Sequence, residues 1–365
     1  MKEFKTAKIF AEESPELYKV WKDYSDHYLF EDRGIKGKQF SSISLGDKEK
    51  VINKLFAEEV ARRSKVSLSD YDNNDTMHYS INPMVKAFAD AIYDKMIDMI
   101  IPDVMNTSVS LISEVVNVDW GDSAKFDLEN NALYNVSKAG FRQRNAMFQR
   151  LENQTVTVVP DNYEVSTQCT LFEVLTGRKM IAKETMKAAL SIQAEIANGA
   201  WSAFDTACSA STVPSALKVT NYTQPTAVTL ADTVTAWNQG RKAVFAGTPL
   251  ALNNILPSNA NYRYTLDDAM VRLGYIPNFM TYDVLPTPNF ADYTSTTYGL
   301  KLPNNKIYVV SPASDKVIKI AMGQSLTITS GIFENANLSQ TITTTKAWGV
   351  VAVTNSIAGV ITTSA

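Results

Sequence analysis

Histidine and cysteine are scarce in this 365-residue sequence, with two of each: His27, His78, Cys169 and Cys208. That excludes a disulfide framework and a CxxC metal site. A Ser-His-Asp or Cys-His arrangement would have to recruit one of the two histidines. Both lie among charged or polar residues and read as surface side chains, and no GxSxG elbow accompanies them. A P-loop is missing, as is a GxGxxG opening a helix. The run Asp70-Tyr71-Asp72-Asn73-Asn74-Asp75 lacks the glycine and glutamate a calcium hand requires, so it reads as a hydrated turn, and Asp267-Asp268 reads likewise. The best apolar run, Met96 to Met105, is broken by Asp98, Pro102 and Asp103, which excludes a membrane helix there. The opening MKEFKTAKIFAEESPE has no apolar h-region, so no secretion signal is expected. With a formal net charge of -3, nothing marks a dedicated nucleic-acid binder. The expectation is a protein without catalytic, cofactor or metal site, made in a cytoplasm.

What is present is a long amphipathic stretch from Thr176 to Ala210. Ile181, Thr185, Ala188, Ile192 and Ile196 recur at spacings of three and four. Met186, Leu190, Ala194, Ala197, Trp201 and Phe204 make a second stripe beside them. This is the 3.6-residue period of a helix, with an apolar surface wide enough to be covered on two sides. Lys179 to Ala203 alone would span roughly 37 Å at about 1.5 Å per residue. Composition changes after it. From Asp205 onward the chain has 10 Lys or Arg and 8 Asp or Glu, against 25 and 30 before it. That shift places a boundary near residue 205.

The leading third reads as helices joined by polar loops. Ser14-Pro15 starts one helix, Asp47 caps another, and Asn82-Pro83 opens a third that Pro102 ends. From Leu111 the period becomes two. Val116, Val118 and Trp120 alternate before Gly121, and Phe126 and Leu128 continue the extended pattern. Val156, Val158, Tyr163, Val165, Thr167, Cys169 and Leu171 alternate on the way back. The two limbs read as a long hairpin, and a two-stranded hairpin needs something to lie on. Its ascending limb is acidic, with Asp119, Asp122, Asp127 and Glu129. Its return carries Lys138, Arg142, Arg144 and Arg150. Opposite charges of this kind suit overlapping copies. The candidate inter-subunit contacts are therefore Trp120, Asp122, Lys125, Asp127, Lys138, Arg142, Arg144 and Arg150.

Beyond residue 210 strands and short helices alternate. Thr229 to Gln239 is predicted helical and KAVFA, from Lys242, a buried strand. Thr248 is the expected cap of the next helix, with Pro249 at its first position. Leu266 to Gly274 is a further short helix, and Met280 to Leu285 is extended. KIYVVSP and Lys316 to Met322 are expected to pair. Thr341 to Thr354 and Ala358 to Thr362 close the chain as strands.

This order resembles the major capsid protein of tailed bacteriophages, of the Hong Kong 97-type fold. VVNVDWGDSAKFDL and NQTVTVVPDNYEVSTQCTLFEVLTG resemble the limbs of that family's extended loop (E-loop). TGRKMIAKETMKAALSIQAEIANGAWSAF resembles its spine helix. RKAVFAGTPLALNNIL, LGYIPNFMTYDVLP and KIYVVSPASDKVIKIAM are similar to elements of its axial domain, and TTTKAWGVVAVTNSIAGVIT to its closing strands. The likeness covers residues 110 to 362. It implies an α+β fold with a helical arm (1–110), an E-loop hairpin and the strand leading out of it (111–170), a peripheral-domain spine helix (171–225), an axial domain (226–335) and peripheral closing strands (336–365). It also implies a structural role, in which many copies form hexamers and pentamers of an icosahedral shell around double-stranded DNA held non-specifically. The partners would be a portal and scaffolding or decoration proteins, and the location the virion, with no membrane. Some members crosslink a loop lysine to an asparagine of a neighbour. Lys125 and Lys138 lie in the loop here, but no partner asparagine or assisting glutamate is identifiable. The alternatives are an encapsulin-type cargo shell, an enzyme of unrecognised site, and a sugar-binding or adhesin module suggested by the Thr-rich tail.

Overall fold

The computed structural model describes residues 5–33, 39–65, 83–109, 111–119, 121–128, 133–136, 138, 149–170, 181–255, 273–287, 289, 291, 299–312, 315–329, 339–353 and 357–363. Four helices come first: α1 (Lys5–Glu13), α2 (Pro15–Arg33), α3 (Leu45–Ser64) and α4 (Pro83–Ser108). Helix α2 begins at Pro15, as Ser14-Pro15 predicts. The cap of α3 is Ser44 rather than Asp47. The Ser44 hydroxyl accepts from the Asp47 N–H at 3.2 Å and donates to its carboxylate at 2.7 Å. Helix α4 does not stop at Pro102. A mid-helix proline loses one backbone bond and strains the turn before it. Burial of Ile97, Ile100, Ile101 and, just past the helix, Val109 offsets that loss.

Two sheets follow. The first holds β1 (Ser113–Asn117), β10 (Ile318–Thr329), β11 (Ser339–Ala352) and β4 (Asp161–Thr170), in the order β1-β10-β11-β4. Strand β1 runs parallel to β10 and the other pairs are antiparallel. Ile318, Ile320, Met322 and Trp348 point to the helices, while Ala321 joins a small cluster on the opposite face. An irregularity between Met322 and Ser325 inserts one residue into β10. Such a bulge keeps Ser325 and Thr327 on the helix side, where Met322 also points.

The second sheet has the order β5-β12-β9-β6-β8-β7: β5 (Lys218–Thr220), β6 (Val244–Gly247), β7 (Asn278–Phe279), β8 (Tyr282–Pro286), β9 (Lys306–Val310) and β12 (Gly359–Thr362). Helices α6 (Gln224–Trp237) and α7 (Pro249–Leu252) cover it. Thr248 caps α7 by accepting from the Ala251 N–H, with Pro249 at the first position, as expected. The predicted helix at Leu266 to Gly274 falls mostly outside the described residues.

Two strand expectations fail. Lys316 to Met322 does not pair with KIYVV, because β10 and β9 belong to different sheets. The closing strands also divide: β11 joins the first sheet and β12 the second. Val360 faces one core cluster and Ile361 the other, so this short segment needs a sheet covered on both sides.

Between the sheets runs α5 (Ile181–Ser209). Of the two stripes read from the sequence, Thr185, Ile192, Ile196, Met186, Ala197, Trp201 and Phe204 are almost solvent-free. Along its length α5 packs on α4, α3 and β11. At its C-terminal end Trp201 and Phe204 meet Tyr308 of β9, with ring centres 5.7 and 5.3 Å away. Lys306 of β9 closes the joint with two contacts to the Asp205 carboxylate, at 2.7 and 2.8 Å.

Candidate assembly surface

The remaining pair is β2 (Ala124–Leu128) with β3 (Gln154–Val158), antiparallel from Ala124↔Val158 to Leu128↔Gln154. Alternation sends Ala124, Phe126 and Leu128 inward and Lys125 and Asp127 to solvent. Among the described residues, only this part of the two limbs pairs as a hairpin. The outer parts of the limbs, β1 and β4, are opposite edges of the first sheet, with β10 and β11 between them.

The base of the hairpin is fixed by side chains from β10 and β11. Phe126 and Val158 pack with Ala321 and Val353. A Cβ built on Gly349 of β11 would lie 2.6 Å from the Val159 carbonyl oxygen, so the backbones approach at a distance only glycine allows. Lys319, whose side chain is fully buried, places its Nζ 5.7 Å from the Phe126 ring centre. That ammonium also contacts Glu114 and Asp315, each at 2.5 Å. A lysine in an alternating strand reads as a solvent residue, so this anchor was not legible in advance.

Further out, the Gln149 side chain takes the place of a strand rung. Its Oε1 accepts from the Asn135 N–H and its Nε2 donates to the Asn135 carbonyl, both at 2.8 Å. Beside this clamp Leu133, Tyr134 and Val136 are 73%, 59% and 98% exposed. These three were missed in the sequence. Their signal is an apolar LYNV in a polar loop.

Of the candidate contacts, Asp122, Lys125, Asp127, Lys138 and Arg150 are exposed. Asp127 accepts from the Thr155 hydroxyl across the hairpin at 3.0 Å. Arg150 pairs with Glu152 at 3.1 Å, a solvent-exposed bridge worth about 0–1 kcal/mol. Trp120, Arg142 and Arg144 lie outside the described residues, so the acidic and basic stretches are not seen side by side.

The histidine and the cysteine whose side chains are described are both buried. His27 is not a surface histidine. It is buried and stacked on Phe40 with ring centres 4.3 Å apart. His78 lies outside the described residues. Burial, helped by Asp205, pushes the Cys208 thiol up to about 12, as suits a buried structural cysteine. Among the described residues no three His, Cys, Asp or Glu side chains converge to hold a metal, and no helix is long and apolar enough to cross a membrane.

No family model matches the sequence, and no curated protein does. Solved structures do match. The mature capsid of bacteriophage PhiM1 aligns at 10% identity over 70% of this chain and 86% of that chain, with a TM-score of 0.45. The capsid of cyanophage P-SCSP1u gives 8%, 69%, 86% and 0.48. The capsid of the native GTA particle gives 14%, 71%, 90% and 0.45.

Proposed function

We propose that this chain is the major capsid protein of a tailed bacteriophage, of the Hong Kong 97 type, and acts as a structural, non-enzymatic subunit. One observation carries the reading. The hairpin is anchored at its base by Lys319 and Phe126, yet beside the Gln149 clamp it exposes Leu133, Tyr134 and Val136. A fixed arm bearing uncovered apolar side chains is suited to lying on another molecule. Repetition of one weak contact over many copies then yields a stable shell.

In this reading residues 1–110 are the arm, 111–170 the E-loop and its exit strand, 171–225 the spine region and 226–335 the axial domain. Of the closing segment 336–365, β11 belongs with the spine and β12 with the axial sheet. Asp122, Lys125, Asp127, Lys138 and Arg150, with Trp120, Arg142 and Arg144, would meet neighbouring copies. Portal, scaffolding or decoration proteins and non-specifically held double-stranded DNA are the further partners, and the virion is the location. A near-neutral chain encloses DNA without gripping it tightly. The test is electron microscopy of the purified protein across salt and crowding conditions. Closed icosahedral shells are expected, whereas a monomer under every condition would overturn the proposal. Shells that carry an enzyme cargo in place of DNA would assign the protein to a cellular compartment instead.

A further inference from the structure

The last pair of the β2–β3 ladder is Leu128↔Gln154. Continued outward in the same register, the ladder would set Gln149 opposite Leu133. The side chain of Gln149 bonds Asn135 instead, two residues further from β2. A primary amide carries a C=O and an N–H side by side, as a peptide group does, so it satisfies both backbone polar groups of Asn135 at once. Only the backbone of Asn135 takes part in these two bonds.

Residues 133–136 belong to no strand, and among the described residues no backbone–backbone bond reaches them. The two Gln149 bonds are what ties this segment to the returning limb. The exposed apolar side chains, Leu133, Tyr134 and Val136, flank the clamped residue on both sides. A free segment of four residues samples many conformations, and ordering it on contact costs affinity. Gln149 and Asn135 are themselves exposed. Water competes for both bonds in the free subunit, and a covering surface removes that water and strengthens them. Clamp and contact then reinforce each other, by the same factor in either direction.

We propose that Gln149 is a positioning residue for assembly, holding residues 133–136 in the shape that a second copy of this chain receives. The inference rests on the shell reading above. It adds a residue that acts through its hold on the segment rather than through a contact of its own. Gln149 lies outside both large sheets and is exposed, so its replacement leaves the fold intact.

Gln149→Met keeps the length of the side chain and removes both bonds. In hydrogen–deuterium exchange of the full-length subunit, the Asn135 amide is expected to lose protection by roughly five- to tenfold, with the β2–β3 amides unchanged. The concentration at which shells appear, followed by light scattering, should rise by a similar factor while the thermal midpoint stays the same. Gln149→Glu supplies a rescue. Its protonated carboxyl accepts through C=O and donates through O–H, as the amide does, whereas the ionised form only accepts. Compared with the parent at each pH, this variant should match its threshold below pH ~4 and exceed it at pH ~7. An Asn135 amide that exchanges equally fast in the parent and in Gln149→Met overturns the clamp. Equal thresholds for those two proteins overturn its role in assembly and leave the shell reading standing, as does a Gln149→Glu threshold that tracks the parent's at both pH values. A parent that forms no shells under any condition overturns both readings.

Discussion

The ammonium of Lys319 sits 5.7 Å from the centre of the Phe126 ring while also contacting Glu114 and Asp315. One buried cation from the sheet therefore holds both the hairpin and the first strand. Phe126→Ala removes the largest side chain of that small cluster and should cost about 3 kcal/mol. The loss should be local. In hydrogen exchange, β2 and β3 are expected to lose protection while α5 keeps its own.

Ile192 lies at the centre of the buried face of α5. Ile192→Asp would place an unpaired carboxylate there, at a cost above about 4 kcal/mol. No soluble folded protein is expected, as judged by circular dichroism and expression. A well-folded variant would show that the face is not buried.

Tyr134→Ser makes the opposite prediction. The side chain is exposed, so stability should stay within about 0.5 kcal/mol of the parent. Assembly, followed by light scattering and microscopy, should fail or slow. Arg144→Glu, on the basic return of the same loop, is expected to fold and assemble badly as well. Normal shells from both variants would leave the loop without a role in contact.

The local features were the legible ones. The stripes of α5, the Thr248-Pro249 start and the alternation of β2 depend on neighbours within a turn or a few residues. The errors arose where distant partners decide. Lys346 and Lys319 look like solvent residues until Asp98, Glu114 and Asp315 arrive from far along the chain. The pairing of β10 with β1 and β11 links segments about 200 and about 20 residues apart, and nothing local to Lys316 to Met322 favours it over β9. His27 was misread because its cover, Phe40, comes from a separate loop. At the candidate site the charged limbs drew notice, whereas Leu133, Tyr134 and Val136 form too short a run to show a period.

Lys346→Met strands Asp98 as a buried charge and should cost about 3–5 kcal/mol in denaturant unfolding. Adding Asp98→Asn should recover part of that, since the damage lies in the unpaired partner. A single variant as stable as the parent would mean that Asp98 finds another cation or a proton.

Acid should weaken the packing of the N-terminal helices at Glu59. Burial opposes ionisation of this carboxyl, but hydrogen bonds from Arg62, Ser14 and Arg63 prevail and bring it from 4.5 down to about 2. A lowered carboxyl stabilises the fold above its unfolded value, and that contribution disappears as pH drops from about 4.5 towards 2. Denaturation midpoints measured through that interval should fall less steeply in Glu59→Gln than in the parent.

Helix α5 contributes Met186 and Ile192 to one sheet's core, and Trp201 and Phe204 to its contact with the other. Neither sheet can melt without stripping part of that helix, and a helix of 29 residues propagates disorder along its own backbone bonds. The two sheets are therefore thermodynamically coupled. Calorimetry of the unassembled subunit should record a single endotherm whose van't Hoff and calorimetric enthalpies agree.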